Sequence, residues 1–588
     1  MKKYIQLLFF ILTFSLTMNL DKTEILFLFI FFTISFILFC CWLIKVHWFK
    51  KTIEIASIFE LVVCIVLFSL SVRNFIQGNI YGIDTYEANL LLWGLYFPLT
   101  FFNKNNKVFS VQLSYIFIGF MGFEVILGIL QSLGILQNAN PLFKVGGSFG
   151  NPAMLAIYLS VISPLLLSMI LTFRRMVNKK DTLTSLFTIA FLLSLYIIII
   201  SKTRGAWLSC LVGCLIVVYL RNNLKIEKYI KKELSKRIKI TASLLILLLF
   251  IFGGYGLYKM KAQSIDGRLL IWSIVLSENR TSLFGKGLGT IETEYGKWQA
   301  EYFIKKGISE HEKNTADYVV TIYNTFMEIL IEQGWLELLL WGVIFYLIIF
   351  YSKKISTIEI GCYASAISIF TLMFSSYPFR VFPIVFYFIF LLSVLSTRKK
   401  TKIQIKFPKI TVLVLTVTTL VTIIYTGFFK SIAFVQLKKG RELIEKNRFE
   451  EGISEMKKAE SQLQKNGIFN FHLGSSYYMA GDLGKAIFYL DKSTKQSSIP
   501  NSFILLGKSY SKLGNVLLAE KYYTIATHIQ PSKMYTKYLL FELFKNRDVK
   551  KALYWAENIK KHKIKTKTTA SEEILQEIND YLNKGDIQ

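Results

Sequence analysis

Long apolar runs punctuated by short polar stretches dominate the first 430 residues. They lie near residues 4–19, 25–44, 53–72, 88–102, 109–135, 152–173, 183–201, 205–220, 240–259, 319–350, 356–375, 381–396 and 410–428. A hydrocarbon core about 30 Å thick takes about 20 apolar residues in a helix, so each run is a candidate membrane span. The first begins Met-Lys-Lys like a signal peptide, but no A-x-A-like site follows and a second apolar run arrives almost at once. It reads as a retained anchor. The pattern predicts an all-α, polytopic helical membrane domain of about 12–13 spans over residues 1–430.

Beyond residue 430 the chain turns polar with helical periodicity, and a repeat emerges. Leu473, Gly474 and Tyr477 are followed by Ala486 and Leu490; 33 residues later Leu506, Gly507 and Tyr510 are followed by Ala519, Tyr523, Ala526 and Pro531. Gly440, Gly452, Met456 and Ala459 form a weaker copy. The repeat resembles the tetratricopeptide type, in which small residues let paired helices pack closely. That resemblance implies an α-solenoid over residues 431–565 with a tail at 566–588; a plain helical bundle is the other reading.

Composition and charge sharpen this picture. The chain is 53% hydrophobic with 50 Phe, a mean hydropathy of +0.44 and only 18% charge, too apolar for an ordinary soluble enzyme. Its net charge of +30 falls in short clusters between apolar runs, where membrane orientation explains it better than nucleic-acid binding, for which no motif is present. The basic connections KVHWFKK (45–51), RRMVNKKD (174–181), 221–239 and TRKKTKIQIKFPK (397–409) are expected inside. Residues 73–87, 136–151, the tip holding Arg204, the long segment 260–317 and SYPFR (376–380) are then outside, as is the C-terminal domain. Cys40, Cys41, Cys64, Cys210, Cys214 and Cys362 all fall in spans and read as packing residues; Cys210 and Cys214 share a helix face without His or carboxylate partners for a metal.

SKTRGAWLS (201–209) carries an arginine on the outer side, against the positive-inside bias. As a helix-end residue it could be an orientation anchor. With Thr203 or Ser201 capping a helix that starts near Gly205, it could instead build an anion site with free backbone N–H groups. KVGGSFGNPAMLA (144–156) offers a second such site on the same face: Asn151 suits an N-cap, Pro152 the first helical position, and Gly146, Gly147 and Gly150 a loop whose amides can turn toward a ligand. The outer loop of about 58 residues adds Arg268, Arg280, Lys286, Trp298, His311 and Asp317. It closes in YNTFMEILIEQGWLE (323–337), where Glu328 and Glu332 lie one turn apart and could face a polar cavity or pack the helices. Glu292 and Glu294 lack the partners of a metal shell, and no metal or cofactor is expected.

Four stretches in order, GGSFGNPAMLAIYL, SKTRGAWLS, DGRLLIWSIVL with LFGKGLGT, and YNTFMEILIEQGWL, resemble the O-antigen ligase and polymerase superfamily over residues of about 110–395. The resemblance implies transfer of a glycan from a polyprenyl diphosphate carrier to a hydroxyl acceptor at the outer face of the bacterial cytoplasmic membrane. The acceptor it implies is lipid A core, a growing polysaccharide, or Ser/Thr of an exported protein. It assigns Arg204 and Arg268 to the diphosphate, for which arginine's planar fork suits phosphate oxygens. Positive charge that tightens as the carrier leaves could replace a metal ion.

Many members carry His-Asn where this chain has Tyr323-Asn324. Tyrosine, with an ordinary pKa near 10, is a poor base at neutral pH, so His311, Glu328 or Asp317 could substitute, or Tyr323 could orient the acceptor. Helical repeats suggest a protein or peptide partner for the C-terminal domain by fold analogy. Rival readings are a transporter or flippase, with Glu60 and Glu124 as charges within spans and no matching halves, and a non-catalytic envelope scaffold.

Overall fold

The computed structural model describes residues 52–55, 58–76, 92–105, 107–176, 182–230, 262–277, 281–350, 356–396, 405–408, 432–562 and 568–585, with single positions at 417 and 429. The expected spans near 4–19, 25–44, 240–259 and 410–428, with Cys40 and Cys41, lie outside the described residues.

The membrane portion is a layer of helices: α1 (Ile58–Ile76), α2 (Tyr96–Asn105), α3 (Lys107–Ser132), α4 (Pro152–Met176), α5 (Thr182–Ile200) and α6 (Arg204–Ile230). The segment expected outside adds α7 (Ala262–Leu276), α8 (Thr290–Lys306), α9 (Glu310–Thr315) and α10 (Thr325–Glu332), after which α11 (Gly334–Ile349), α12 (Thr357–Met373) and α13 (Phe382–Ser396) return to the apolar layer. Among the described residues, α3, α4, α5 and α6 contain stretches long and apolar enough to cross a bilayer, and α1, α11, α12 and α13 are shorter apolar helices. The protein is a multi-pass membrane protein. Its helices α4 and α13 are buried along most of their length, whereas α5 exposes Leu186, Ile189, Leu192, Tyr196 and Ile199, the lipid-facing pattern of an outer helix.

The four described cysteines are free, with Cys210 and Cys362 buried and Cys64 and Cys214 half-buried, in keeping with packing roles. The described residues are all-helical as expected apart from one short ladder, in which β1 (Thr52–Ile55) pairs antiparallel with β2 (Ile405–Pro408), Thr52 opposite Pro408. The ladder runs from just after the first of the four basic connections expected inside to the last of them.

One correction concerns the run at 319–350. It is broken at Gln333-Gly334, because Gly334 takes φ of +87°, a left-handed conformation that ends α10 before α11 begins.

The C-terminal domain opens with a helix over residues 432–445 and α14 (Phe449–Lys457). Stacked helix pairs follow: α15 (Gly467–Met479) on α16 (Leu483–Gln496), α17 (Pro500–Lys512) on α18 (Val516–Ile529), and α19 (Met534–Phe544) on α20 (Val549–Lys560), closed by α21 (Thr569–Gly585). Asn466, Asp482, Asn515 and Asp548 cap their helices by accepting a backbone N–H three residues on. The repeated glycines mark close approaches. A Cβ at Gly474 would lie 2.8 Å from Leu490 Cγ, and one at Gly507 2.6 Å from the Tyr523 ring.

This domain rests on α8. Gln299 Nε2 donates to the carbonyls of His528 (3.0 Å) and Ile529 (2.9 Å), and Ser498 Oγ donates to Glu292 O (2.9 Å). Ala300 joins Phe503, Ile504, Ala526 and Ile529 in a small apolar core.

Candidate functional site

Three separate parts of the chain meet on one short segment, residues 374–377. Asn324 Nδ2 donates to Phe374 O (3.2 Å), Arg268 Nη1 to Ser375 O (2.8 Å) and Thr325 Oγ1 to Ser376 O (2.9 Å). The first turn of α6 abuts the same segment, since a Cβ at Gly205 would lie 2.8 Å from Ser375 Oγ. Arg204 and Arg268, 64 positions apart in the chain, are thereby brought within electrostatic reach of each other. Burial pulls the Arg268 guanidinium below its ordinary value and the Arg204 charge adds to that, while Tyr323 and Tyr377 act the other way. Two like charges held together favour an anion between them.

Arg268 also stacks 4.9 Å over the Tyr323 ring, which meets Tyr377 edge-on at 5.6 Å. Tyr323 sits at φ of +54°, an uncommon conformation for an aromatic residue. It directly precedes Asn324, whose Oδ1 caps α10 by accepting Met327 N–H (3.1 Å). Burial pushes the Tyr377 hydroxyl up to about 12, which keeps it a neutral donor.

Helix α6 starts at Arg204, one residue earlier than the sequence suggests. Thr203 turns its hydroxyl back to Ser201 O (3.4 Å), so its carbonyl opens the helix and its side chain does not cap it.

The glycine loop also differs from expectation. The amides of Gly146 and Gly147 donate to Gln131 Oε1 (2.9 and 2.8 Å), and Ser148 N donates to Glu124 Oε2 (3.0 Å). They point into the protein, because buried Gln131 and Glu124 on α3 already accept them. A Cβ at Gly147 would lie 2.3 Å from Glu124 Oε2. Asn151 does cap α4, accepting Ala153 N–H at 2.8 Å.

The two glutamates of α10 are committed to structure. Glu328 accepts from Thr321 Oγ1 (2.5 Å) and Ile322 N (3.3 Å) and pairs with Arg380 Nε at 3.2 Å. Arg380 was not singled out from the sequence, although SYPFR was expected outside, against the same charge bias that marked Arg204. Burial lowers its pKa, but Glu328, then Glu332 and Glu292, more than offset this and hold it above its ordinary value. Glu332 Oε1 accepts Ile291 N–H (3.2 Å) at the start of α8, where Gly289 offers no side-chain cap. Glu332, expected at a substrate-binding position, thus caps the start of α8.

Lys286 lies 5.4 Å over Trp298, and its backbone N–H donates to Ile331 O (2.8 Å). His311 pairs with Asp266 at 3.3 Å, its side chain 66% exposed. Asp266 and Arg268 are two apart on α7 and so point away from each other, which separates His311 from the arginine pair. Asp317 accepts from Gln530 (3.0 Å) on the C-terminal domain.

Burial raises the pKa of Glu332 to about 7, with Arg380 the main opposing influence. The folded chain thus holds this proton more tightly than the unfolded one. The contribution is complete below about 4.5 and is lost as pH rises through 7, on the order of 3 kcal/mol. Glu332→Gln is expected to flatten the thermal stability profile between pH 5 and 8 and to raise the melting temperature at pH 8; an unchanged profile contradicts the assignment.

Residues 189–342 match the family described as O-Antigen ligase, a family of glycosyl-transferring ligases and polymerases. The matched stretch contains Arg204, Arg268, Tyr323 and Asn324 and ends before Arg380 and the C-terminal domain. A comparison with curated proteins gave no match.

Proposed function

We propose that the protein transfers a glycan from a polyprenyl diphosphate carrier to a hydroxyl acceptor at the outer face of the bacterial cytoplasmic membrane, without a metal ion. The observation that carries this reading is the convergence of Arg204, Arg268 and Tyr323-Asn324 on residues 374–377. The arginines hold the diphosphate, each charged hydrogen bond contributing about 1.5 to 3 kcal/mol, and strengthen as the bond to the anomeric carbon breaks. Tyr323 directs the acceptor hydroxyl through its own. Lys286 meets the sugar portion of the donor, backed by the buried ring of Trp298, and the membrane lipid delivers the carrier laterally.

The helical pairs form a tetratricopeptide-type domain. Their seat on α8, in the segment expected outside, supports an envelope protein or peptide as their partner. Against a transporter stand the structural partners of its candidate charges: Glu124 holds the glycine loop and Glu60 pairs with Lys104.

The test is the purified protein in lipid with a polyprenyl-diphosphate glycan and candidate acceptors. Release of polyprenyl diphosphate with glycan transfer is expected; transbilayer movement without bond cleavage, or neither, rejects the reading. Tyr323→Phe is expected to raise KM for the acceptor about tenfold with a smaller change in kcat, while Tyr323→His, which restores the family's base, raises kcat.

A further inference from the structure

The C-terminal domain carries a surface that the transfer site does not use. Residues 431–565 hold 24 lysines and arginines against 12 aspartates and glutamates. On α17, Ile504, Lys508 and Lys512 recur every four residues and share one face. Ile504 is buried in the apolar core that joins the domain to α8, and the two lysines continue from it away from that contact for about 12 Å at 1.5 Å per residue. Lys508 donates to the Tyr535 hydroxyl on α19 at 2.7 Å and lies 5.3 Å from its ring centroid. Lys512 stands 4.4 Å over Tyr478 on α15. The first helices of three successive pairs therefore share one surface of alternating ammonium groups and tyrosine rings. Glu542, on the Tyr535 face of α19, is taken by Lys545 at 3.4 Å.

We propose that this face binds an anionic saccharide chain, one bearing carboxylate or phosphate groups. The ammonium groups meet the anions, and the tyrosine rings offer flat amphipathic surfaces to the apolar faces of sugar rings. The hydrogen bond of Lys508 to the Tyr535 hydroxyl and the cation–π contact of Lys512 with Tyr478 hold these groups in place before the ligand arrives, which lowers the ordering cost of binding. An extended peptide needs both donors and acceptors for its backbone, and lysine supplies no acceptor. The surface begins where the domain meets the outer loop, so a chain attached at the transfer site would lie along it. The proposal rests on the glycan-transfer reading only for that continuity.

The experiment measures binding of polygalacturonate oligosaccharides to the full chain in discs of zwitterionic lipid, beside neutral dextran, poly-glutamate and anionic vesicles. Polygalacturonate is expected to bind in preference to all three. Joint Lys508→Gln and Lys512→Gln substitution is expected to weaken it roughly tenfold, as is Tyr478→Leu with Tyr535→Leu, with melting temperatures unchanged. Arg268→Ala, which tests the transfer site, leaves binding intact, so failure of one reading is separable from failure of the other. Equal binding of dextran, poly-glutamate or anionic vesicles, or indifference to both double substitutions, overturns the proposal.

Discussion

Arg268→Ala is expected to lower glycan transfer by about 100- to 1,000-fold, with membrane insertion and the C-terminal domain preserved. The guanidinium has two attachments, the Ser375 carbonyl at 2.8 Å and the face of Tyr323 at 4.9 Å. Both fix the plane of its fork while the Arg204 charge works against its own. An anion held between the two arginines would offset that repulsion. Removing Arg268 should therefore hurt most where the departing diphosphate gains charge, so kcat falls more than KM rises. Arg204→Ala should behave alike. Arg268→Lys keeps the charge but loses the planar fork and the stacking, and should recover only part of the rate. Transfer at the wild-type rate by either alanine variant, measured as polyprenyl diphosphate released, rejects the clamp.

What the sequence could and could not show follows from the kind of signal each feature leaves. Spans announce themselves because burying 20 residues in lipid demands apolar side chains throughout, and α3 to α6 lie where the runs predicted. Arg204 was legible because a positive charge in a connection expected outside opposes the orientation bias, Arg268 only through the resemblance of DGRLLIWSIVL to a family motif, and Arg380 was open to the first argument. Residues 374–377 left no such trace: they serve through backbone carbonyls, which any residue supplies. The glycine loop misled for a related reason. Its composition fits an anion cradle, but whether its amides face a ligand or the protein depends on Gln131 and Glu124, 15 to 24 residues away. Glu332 looked like a cavity residue because the gap it fills, the uncapped start of α8, is 41 residues distant. The break between α10 and α11 was marked by a glycine that an apolar count passes over.

Gly334→Val is expected to destabilise the outer segment by roughly 4 kcal/mol and to lower transfer by about 100-fold. At φ of +87° a β-branched residue is strained, and its Cβ would lie 2.4 Å from both Gly285 N and Leu283 O, backbone atoms that cannot swing aside. The displacement falls where the segment is tied together. Trp335 and Leu336 donate to the carbonyls of Ser282 and Leu283, while Lys286 and Gly287 donate to those of Ile331 and Glu332. Losing these bonds at about 1 kcal/mol each adds to the strain and frees α10 from the start of α11. Tyr323 and Asn324 lead into α10, so they would drift from Arg268 and Phe374 even though neither is altered. Gly342→Ala is the matched control: it lies on α11 with no atom within 4 Å of an added Cβ, and alanine favours the helix. It should melt and transfer as the wild type does. Protease accessibility of the outer segment, melting temperature and transfer rate should all change together in Gly334→Val. Normal melting and transfer would show that the site does not depend on this turn.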